Sequence, residues 1–363
     1  MKVLQVVADG TPGGGTTNVL ALTEDLLGAG IDVLFCSQVD SYAQQAAANL
    51  AANVVGEVNF FAGRLDRRAP RCLADLVRRV DPDIVHLHGG RAAFFFASHP
   101  PTGRGRSVYT VRGYHFLNKP WPLRQLAAMA ERRSSRRIDQ TVFVCQYDQD
   151  LAVRFRLLPS GKPGVVIRNG IRLDDIPQQT TPRDPRSVAV LGRLTLQKDP
   201  HLVLDLAQRL AGDGFTFHLI GGGDMEPEIR QRVQRQSLNS VHLYGSLARP
   251  QALEAMQQCG TFLLASRWEG LPIAPVEAMQ MGLVVVVSAV SGNTEVVIDG
   301  QTGYVVDQAD RNAYVSALRR LAGDAALRSR FVDAGRSRVK THFTRQRVVA
   351  QYQTLYQELL QQL

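Results

Sequence analysis

The stretch "TFLLASRWEGLPIAPVEAMQMGLVVVVS", residues 261–288, opens and closes on apolar runs of strand length. "TFLLAS" (261–266) and "LVVVVS" (283–288) read as buried strands, and the residues between them carry a turn and a helix start. Pro272 fits the first turn of that helix, where a missing N–H costs little. Glu269 then lies in the loop ahead of the helix and Glu277 in its second turn. On one unbroken helix the two carboxylates would stand about 12 Å apart; with the Gly-Leu-Pro turn between them, both can face one cleft. Such a pair can accept hydrogen bonds from two sets of sugar hydroxyls. Taken singly, each is equally an acid favoured by a helix dipole or an unrelated surface glutamate.

The same alternation runs outward in both directions. "KVLQVV" (2–7), "DVLFC" (32–36), "DIVHL" (83–87), "SVYTV" (107–111), "TVFVC" (141–145) and "GVVIR" (164–168) read as strands separated by amphipathic helical stretches. After the polar, Pro-containing segment 173–186 the pattern restarts with "SVAVLG" (187–192), "FTFHLIG" (215–221) and "SVHLYG" (240–245), and ends with "GYVV" (303–306). Strand–helix–strand alternation repeated twice predicts an α/β chain of two Rossmann-like, doubly wound domains facing a central cleft. The expected division is 1–172 and 173–344, with 345–363 a long amphipathic helix packing back on the first domain.

Composition narrows the class. The chain of 363 residues has 45% hydrophobic and 21% charged residues, which suits two folded domains and not disorder. Its 4 cysteines are scattered without a CxxC pair, as in a cytoplasmic protein with reduced thiols. The N-terminus reads as a strand entering a turn, not a signal peptide, and no apolar run approaches the roughly 20 residues that span a bilayer. Formal charge is +9, and residues 60–140 alone hold 16 Lys and Arg against 6 Asp and Glu. A basic region of this kind attracts anionic lipid or a phosphorylated substrate. With no nucleic-acid module and few interleaved aromatics, nucleic acid ranks last.

In doubly wound sheets ligands sit beyond the carboxyl ends of the strands. After the first strand comes "DGTPGGGTTN" (9–18), whose glycines let backbone N–H groups approach an anion at a helix N-terminus. It is not the GxGxxG fingerprint. After the first strand of the second half comes "GRLTLQKDP" (192–200), in which Arg193 and Lys198 flank a helix start and offer a diphosphate pocket.

These stretches, with "IGGGDMEPEI" (220–229) and the "EVVIDGQTGYVV" segment (295–306), resemble the C-terminal half of the retaining family-four glycosyltransferases of the GT-B fold. Weaker likeness continues through "GGG" (13–15), "DIVHLHG" (83–89), "VYTVRGYHF" (108–116) and "VIRNGI" (166–171). The resemblance implies that Arg193 and Lys198 neutralise a nucleotide diphosphate and that Glu277 grips the ribose. It implies that Glu269 orients the donor sugar beside Gly270, Leu271 and Pro272. It also implies donor contacts from Gly192, Gly222 and the first-domain loop Gly14, Gly15 and Thr16.

One departure stands out. Where the family has a histidine near the transferred sugar, this chain has Arg112, with His115 three residues on. Arginine stays protonated and cannot act as a base, but it can stabilise a leaving phosphate. His88 and Gly89, at the carboxyl end of a strand, are candidates for acceptor contact. His86 and His88 share one strand face and are equally packed core residues. "DPD" (81–83) lies ahead of its strand and "DQD" (148–150) in a helix, so neither suits a metal, and no metal or cofactor is expected. "KPWPLRQLAAMAERRSSRRID" (119–139) alternates apolar and arginine positions, as a helix lying on anionic lipid does, or an ordinary helix with a solvated basic face.

The expectation is a metal-independent retaining hexosyltransferase using a UDP- or GDP-sugar and a glycan or lipid-linked acceptor in cell-surface polysaccharide synthesis. It would be cytoplasmic and peripheral on the inner face of the membrane. A silent sugar-nucleotide binding protein and a sugar-nucleotide epimerase on the same fold are the alternatives. A glycoside hydrolase would have no use for the Arg–Lys pocket.

Overall fold

Central strands rich in Val, Leu and Ile hide both faces, so each must be roofed by helices on either side; parallel strands meet this through crossover helices. The computed structural model describes residues 1–50, 52–61, 67–103, 105–114, 120–177 and 183–362. They form two compact units, residues 1–169 with 345–363, and residues 170–344.

The first unit runs β1 (Lys2–Val7), α1 (Gly14–Gly28), β2 (Asp32–Ser37), α2 (Tyr42–Asn49), β3 (Asn53–Glu57), α3 (Arg68–Val80) and β4 (Ile84–His88). It continues with α4 (Gly90–Ser98), β5 (Arg106–Val111), α5 (Trp121–Arg137), β6 (Gln140–Phe143), α6 (Gln146–Arg154) and the short β7 (Val165–Val166). Its parallel sheet has the order β3-β2-β1-β4-β5-β6-β7. The second unit runs β8 (Asp184–Leu191), α7 (Pro200–Arg209), β9 (Thr216–Ile220), α8 (Glu226–Arg235), β10 (Val241–Gly245), α9 (Arg249–Gln257) and β11 (Cys259–Leu264). Then come α10 (Ala274–Met281), β12 (Val284–Ser288), α11 (Asn293–Val296), β13 (Gly303–Val306), α12 (Arg311–Gly323) and α13 (Ala325–His342). Its sheet order is β10-β9-β8-β11-β12-β13.

Both orders reverse direction beside the first strand of the unit, between β1 and β4 and between β8 and β11. At such a reversal the neighbouring crossovers leave toward opposite faces, and the loops after the two central strands part to form a crevice.

Three details differ from the sequence expectation. β3 is an added edge strand; its run is short and broken by Gly56, where a Cβ would meet Leu76 Cδ2 at 2.7 Å. Pro272 precedes the helix it was expected to start. Pro275 occupies the first turn of α10 instead, which brings Glu277 into that first turn. "GVVIR" contributes a strand of 2 residues only, at the edge of its sheet.

The last helix, α14 (Arg345–Gln361), belongs to the first unit. Val349, Tyr352, Leu355, Tyr356 and Leu359 pack against Val3, Leu26, Val33, Ile84 and Val142, closing one face of that sheet. Arg345 secures the start of α14 by pairing with Asp25 at 2.6 Å and Glu24 at 3.0 Å. Tyr356 is fully buried and its hydroxyl lies 2.6 Å from His86 Nδ1. Replacing Tyr356 by Phe leaves that ring nitrogen without its partner, so denaturant unfolding should show a loss of about 1–3 kcal/mol.

Candidate functional site

In the second unit, the crevice between β8 and β11 is lined by the two loops that sequence reading singled out. Lys198, after β8, and Glu269, after β11, meet there: Lys198 Nζ lies 2.5 Å from Glu269 Oε1. The glutamate side chain is nearly buried and the lysine mostly so. Ser266 Oγ donates to the same carboxylate oxygen at 2.6 Å, and Gln197 Nε2 reaches the other at 3.5 Å.

The carboxylate is held from beneath as well. Asn293 Nδ2 donates to Ser288 O and Oγ, each at 3.0 Å, and Ser288 Oγ donates to Ser266 O at 2.6 Å. Ser291 Oγ caps the Glu269 carbonyl and accepts from its N–H. Gly292 makes this fit possible, because a Cβ there would fall 1.5 Å from the Gly270 carbonyl oxygen.

The loop after β8 is pinned in turn. Leu194 N donates to Gly222 O at 2.8 Å, and Arg267 N to Gln197 O at 2.8 Å. A Cβ on Gly223 would sit 2.4 Å from Leu194 O, so the triple glycine lets this loop lie directly on the backbone after β9. The stem of Lys198 passes over Gly192, whose Cβ would stand 3.2 Å from Lys198 Cε. Asp199 closes the loop at φ 47°, a left-handed conformation that Asp tolerates better than most residues. Its buried carboxylate takes hydrogen bonds from Arg267 Nε at 2.9 Å and Gln308 Nε2 at 2.7 Å. Arg193 is exposed and has no hydrogen-bond or ion-pair partner among the described residues.

Glu277 is also buried, with 5% of its surface exposed. Arg249, at the start of α9, donates to Glu277 Oε1 from Nε at 3.0 Å and from Nη2 at 2.8 Å. Arg249 also approaches Asp175 at 3.5 Å. Burial raises the Glu277 pKa above the ordinary carboxylate value, and the Arg249 guanidinium opposes that rise. Both arginine donors converge on one oxygen, and Oε2 accepts no hydrogen bond among the described residues.

In the first unit, Gly14, Gly15 and Thr16 form the first turn of α1. Thr16 is buried and its hydroxyl donates back to Thr11 O at 2.7 Å. Arg112, just past β5, runs beside this turn: a Cβ on Gly15 would lie 3.8 Å from Arg112 Cδ. Arg112 Nη2 donates to His88 Nδ1 at 3.2 Å. His88 is buried, and Gly89 is the residue before α4, at φ 84°. His115 lies outside the described residues. Asp81 caps α3 ahead of β4, and Asp148 is buried on α6.

Sequence reading thus named Lys198, Glu269 and Glu277 but not what holds them. Arg249 stands 28 positions before Glu277 and carried no signal. Ser266, three residues ahead of Glu269, lay in the quoted stretch, as a polar residue ending an apolar strand.

Comparison with known proteins adds to this geometry. Residues 12–175 match the family described as Glycosyltransferase Family 4, and residues 172–338 match Glycosyl transferases group 1. The chain is 25% identical over 337 residues to the GDP-mannose:cellobiosyl-diphosphopolyprenol alpha-mannosyltransferase of Xanthomonas campestris, covering 89% of this chain and 87% of that protein. It is 23% identical over 284 residues, 72% of each chain, to the Escherichia coli UDP-Gal:alpha-D-GlcNAc-diphosphoundecaprenol alpha-1,3-galactosyltransferase. The crystal structure of Anabaena Alr3699/HepE in complex with UDP superposes with a TM-score of 0.82 at 19% identity, covering 99% of this chain and 100% of that one. That likeness establishes the fold.

Removing Arg249 isolates one term of this site. In Arg249→Ala the buried Glu277 loses its counter-charge, and its pKa rises further. A carboxyl whose folded pKa exceeds its unfolded value costs stability above the folded pKa, and the cost vanishes as pH falls toward about 4.3. Thermal melts should therefore show a larger gap between variant and parent at about pH 8 than at about pH 5.

Proposed function

This chain belongs to the glycosyltransferases of the GT-B fold, and on that premise we propose that it is a retaining hexosyltransferase using a UDP- or GDP-sugar. The acceptor is a hydroxyl of a glycan or lipid-linked saccharide in cell-surface polysaccharide synthesis. What carries the reading is the meeting of Lys198 and Glu269 at the strand-order reversal, with Arg193, nearby in sequence, free of partners among the described residues. The two relatives named above act, by their names, on diphosphopolyprenol-linked saccharides, which favours an acceptor of that kind.

In this mechanism the donor diphosphate takes charge from Arg193 and Lys198, while Glu269 orients the sugar hydroxyls. Gly192, Gly222, Gly270, Leu271 and Pro272 supply close backbone, and Glu277 receives the ribose hydroxyls on Oε2. Lys198 has three N–H donors, so it can serve a phosphate while keeping one bond to Glu269. The bond from the anomeric carbon to the diphosphate oxygen breaks, and the acceptor oxygen bonds to that carbon on the same face. The acceptor proton passes to the departing diphosphate. Stabilising that leaving group is the largest single contribution. Within the first unit, Gly14, Gly15 and Thr16 at the start of α1, with Arg112 beside them, offer N–H groups and a cation to a phosphate. His88 is buried, and in this reading Gly89, the residue after it, takes the acceptor contact.

The enzyme is cytoplasmic and peripheral on the inner membrane face, seated through α5. Among the described residues no helix is long and apolar enough to cross a membrane. On α5, Trp121, Leu123, Leu126 and Met129 are all more than half exposed. Further along, Met129, Arg132, Arg133, Arg136 and Arg137 line a hollow. Arg132 and Arg137 are tied to backbone carbonyls, whereas Arg133 and Arg136 have no partner among the described residues. Each basic residue near an anionic surface contributes about 1 kcal/mol, and the apolar half of the helix enters the headgroup layer.

Calorimetry across UDP- and GDP-sugars, followed by nucleoside diphosphate release with and without membrane extract, tests the reaction. Release that requires acceptor supports the transferase. Binding without turnover favours a silent module, donor conversion without acceptor an epimerase, and no binding overturns the reading. Lys198→Ala should slow turnover by about 100-fold or more, while Glu277→Ala should chiefly weaken donor binding. In flotation assays the protein should rise with vesicles containing anionic lipid and not with neutral ones, and the double variant Arg133→Glu, Arg136→Glu should stay behind. Equal recovery on both vesicle types would remove α5 from the proposal.

A further inference from the structure

A belt of polar side chains crosses the centre of the first sheet, where parallel strands ordinarily carry only aliphatic residues. Gln5 on β1, His86 and His88 on β4, and Thr110 on β5 are each at least 95% buried. Gln5 is in register with His86, and His88 with Thr110, so the four occupy adjoining positions on three neighbouring strands. Buried polar groups are costly unless satisfied, and nearly every one here is.

Two chains of hydrogen bonds account for them. His86 contacts Tyr356 Oη at 2.6 Å and Thr110 Oγ1 at 2.7 Å, and Thr110 contacts Tyr352 Oη at 3.1 Å. His88 contacts Gln5 Oε1 through Nε2 at 2.5 Å and receives Arg112 Nη2 on Nδ1 at 3.2 Å. A guanidinium only donates, so Nδ1 must be the bare nitrogen of a neutral ring, and Nε2–H then donates to Gln5. Burial, reinforced by His86 and Arg112, holds the His88 pKa well below its ordinary value, in keeping with a neutral ring.

Arg112 is where the belt reaches the end of the sheet. Its bond to His88 is its one side-chain hydrogen bond among the described residues, and its Nε is buried without a partner. Its stem lies against Gly15 in the first turn of α1, where backbone N–H groups have no helical acceptor.

We infer that His88 is a positioning residue, which through its bare Nδ1 orients the Arg112 guanidinium for a phosphate group bound at the first turn of α1. This rests on the nucleotide-sugar reading above. The histidine itself touches no substrate. Gln5 fixes its tautomer, and its neighbour His86 is locked by Tyr356 of the C-terminal helix. An anion arriving at α1 therefore finds a cation already oriented. Pre-orientation of this kind matters because a misplacement of about 1 Å can cost 100-fold in rate.

The test uses the full chain in four forms: His88→Leu, His88→Asn, Arg112→Ala and the double variant His88→Leu, Arg112→Ala. Asparagine keeps an acceptor oxygen near the place of Nδ1; leucine does not. With a productive nucleotide sugar, His88→Leu should lower kcat by about 10- to 100-fold, His88→Asn should recover most of it, and the double variant should be no slower than Arg112→Ala alone. Affinity for inorganic pyrophosphate, followed by calorimetry, should fall in the same order. Nitrogen-15 spectra of labelled histidine should show His88 protonated at Nε2 and bare at Nδ1.

Multiplicative losses in the double variant, wild-type turnover in His88→Leu, or a ring protonated at Nδ1 would overturn the inference. If His88→Leu fails to fold, His88→Asn and the spectra of the parent protein decide. Should no nucleotide sugar turn over while pyrophosphate affinity still depends on Arg112 and His88, the transferase reading fails and the positioning role survives.

Discussion

The ion pair between Lys198 and Glu269 is the interaction on which the second unit of this molecule turns. Two oppositely charged side chains, 71 positions apart in the chain, come within 2.5 Å with the carboxylate almost out of water. Burying a charge is costly unless it is paired and hydrogen-bonded, and here Ser266, Gln197 and the ammonium divide the work. The sheet makes the meeting possible. β8 and β11 are neighbours in space, and only at that boundary do crossovers leave toward opposite faces.

Everything close to the pair serves to hold its loops. Gly292 admits the Gly270 carbonyl, Gly223 admits Leu194, and the buried Ser288–Asn293 contacts carry rigidity from β12 to the loop that bears Glu269. The Glu277–Arg249 pair repeats the principle a few residues on, with a buried acid paired to a half-exposed arginine. A loop so tied presents its carboxylates in fixed positions, and fixed hydrogen-bonding groups cost no reorganisation when charge develops.

The first unit solves a different problem with different means. A belt of polar groups crosses the inside of its sheet, and most of them are neutral. Two histidines, a threonine, a glutamine and two tyrosines share hydrogen bonds in two chains, only Gln5 Nε2 among them lacking a partner, and one cation, Arg112, sits where the belt meets α1. The C-terminal helix completes this arrangement, so residues at the far end of the chain help to order the strands at its beginning.

Much of this was legible in the sequence. Buried strands announce themselves as apolar runs, glycines and charged residues directly after a strand mark a ligand-facing loop, and the doubly wound class follows from their alternation. Lys198 and Glu269 were visible for that reason, and Glu277 by its place at the start of the helix that follows. β3 was missed because an edge strand buries less and needs no long apolar run, and the helix after Glu269 begins at a different proline from the one expected.

Contacts that depend on which strands become neighbours were beyond sequence reading. Local pattern reports a residue's own element, whereas pairing is set by sheet order and by the free energy of the whole core. Arg249 on Glu277, Ser288 beneath Ser266, Tyr356 on His86 and Arg112 on His88 are all of this kind. The amino-acid sequence determined the elements and the chemistry carried at their ends. Tertiary structure decided which of those ends meet, because charges and hydrogen bonds act over a few ångströms and only folding brings distant residues that close.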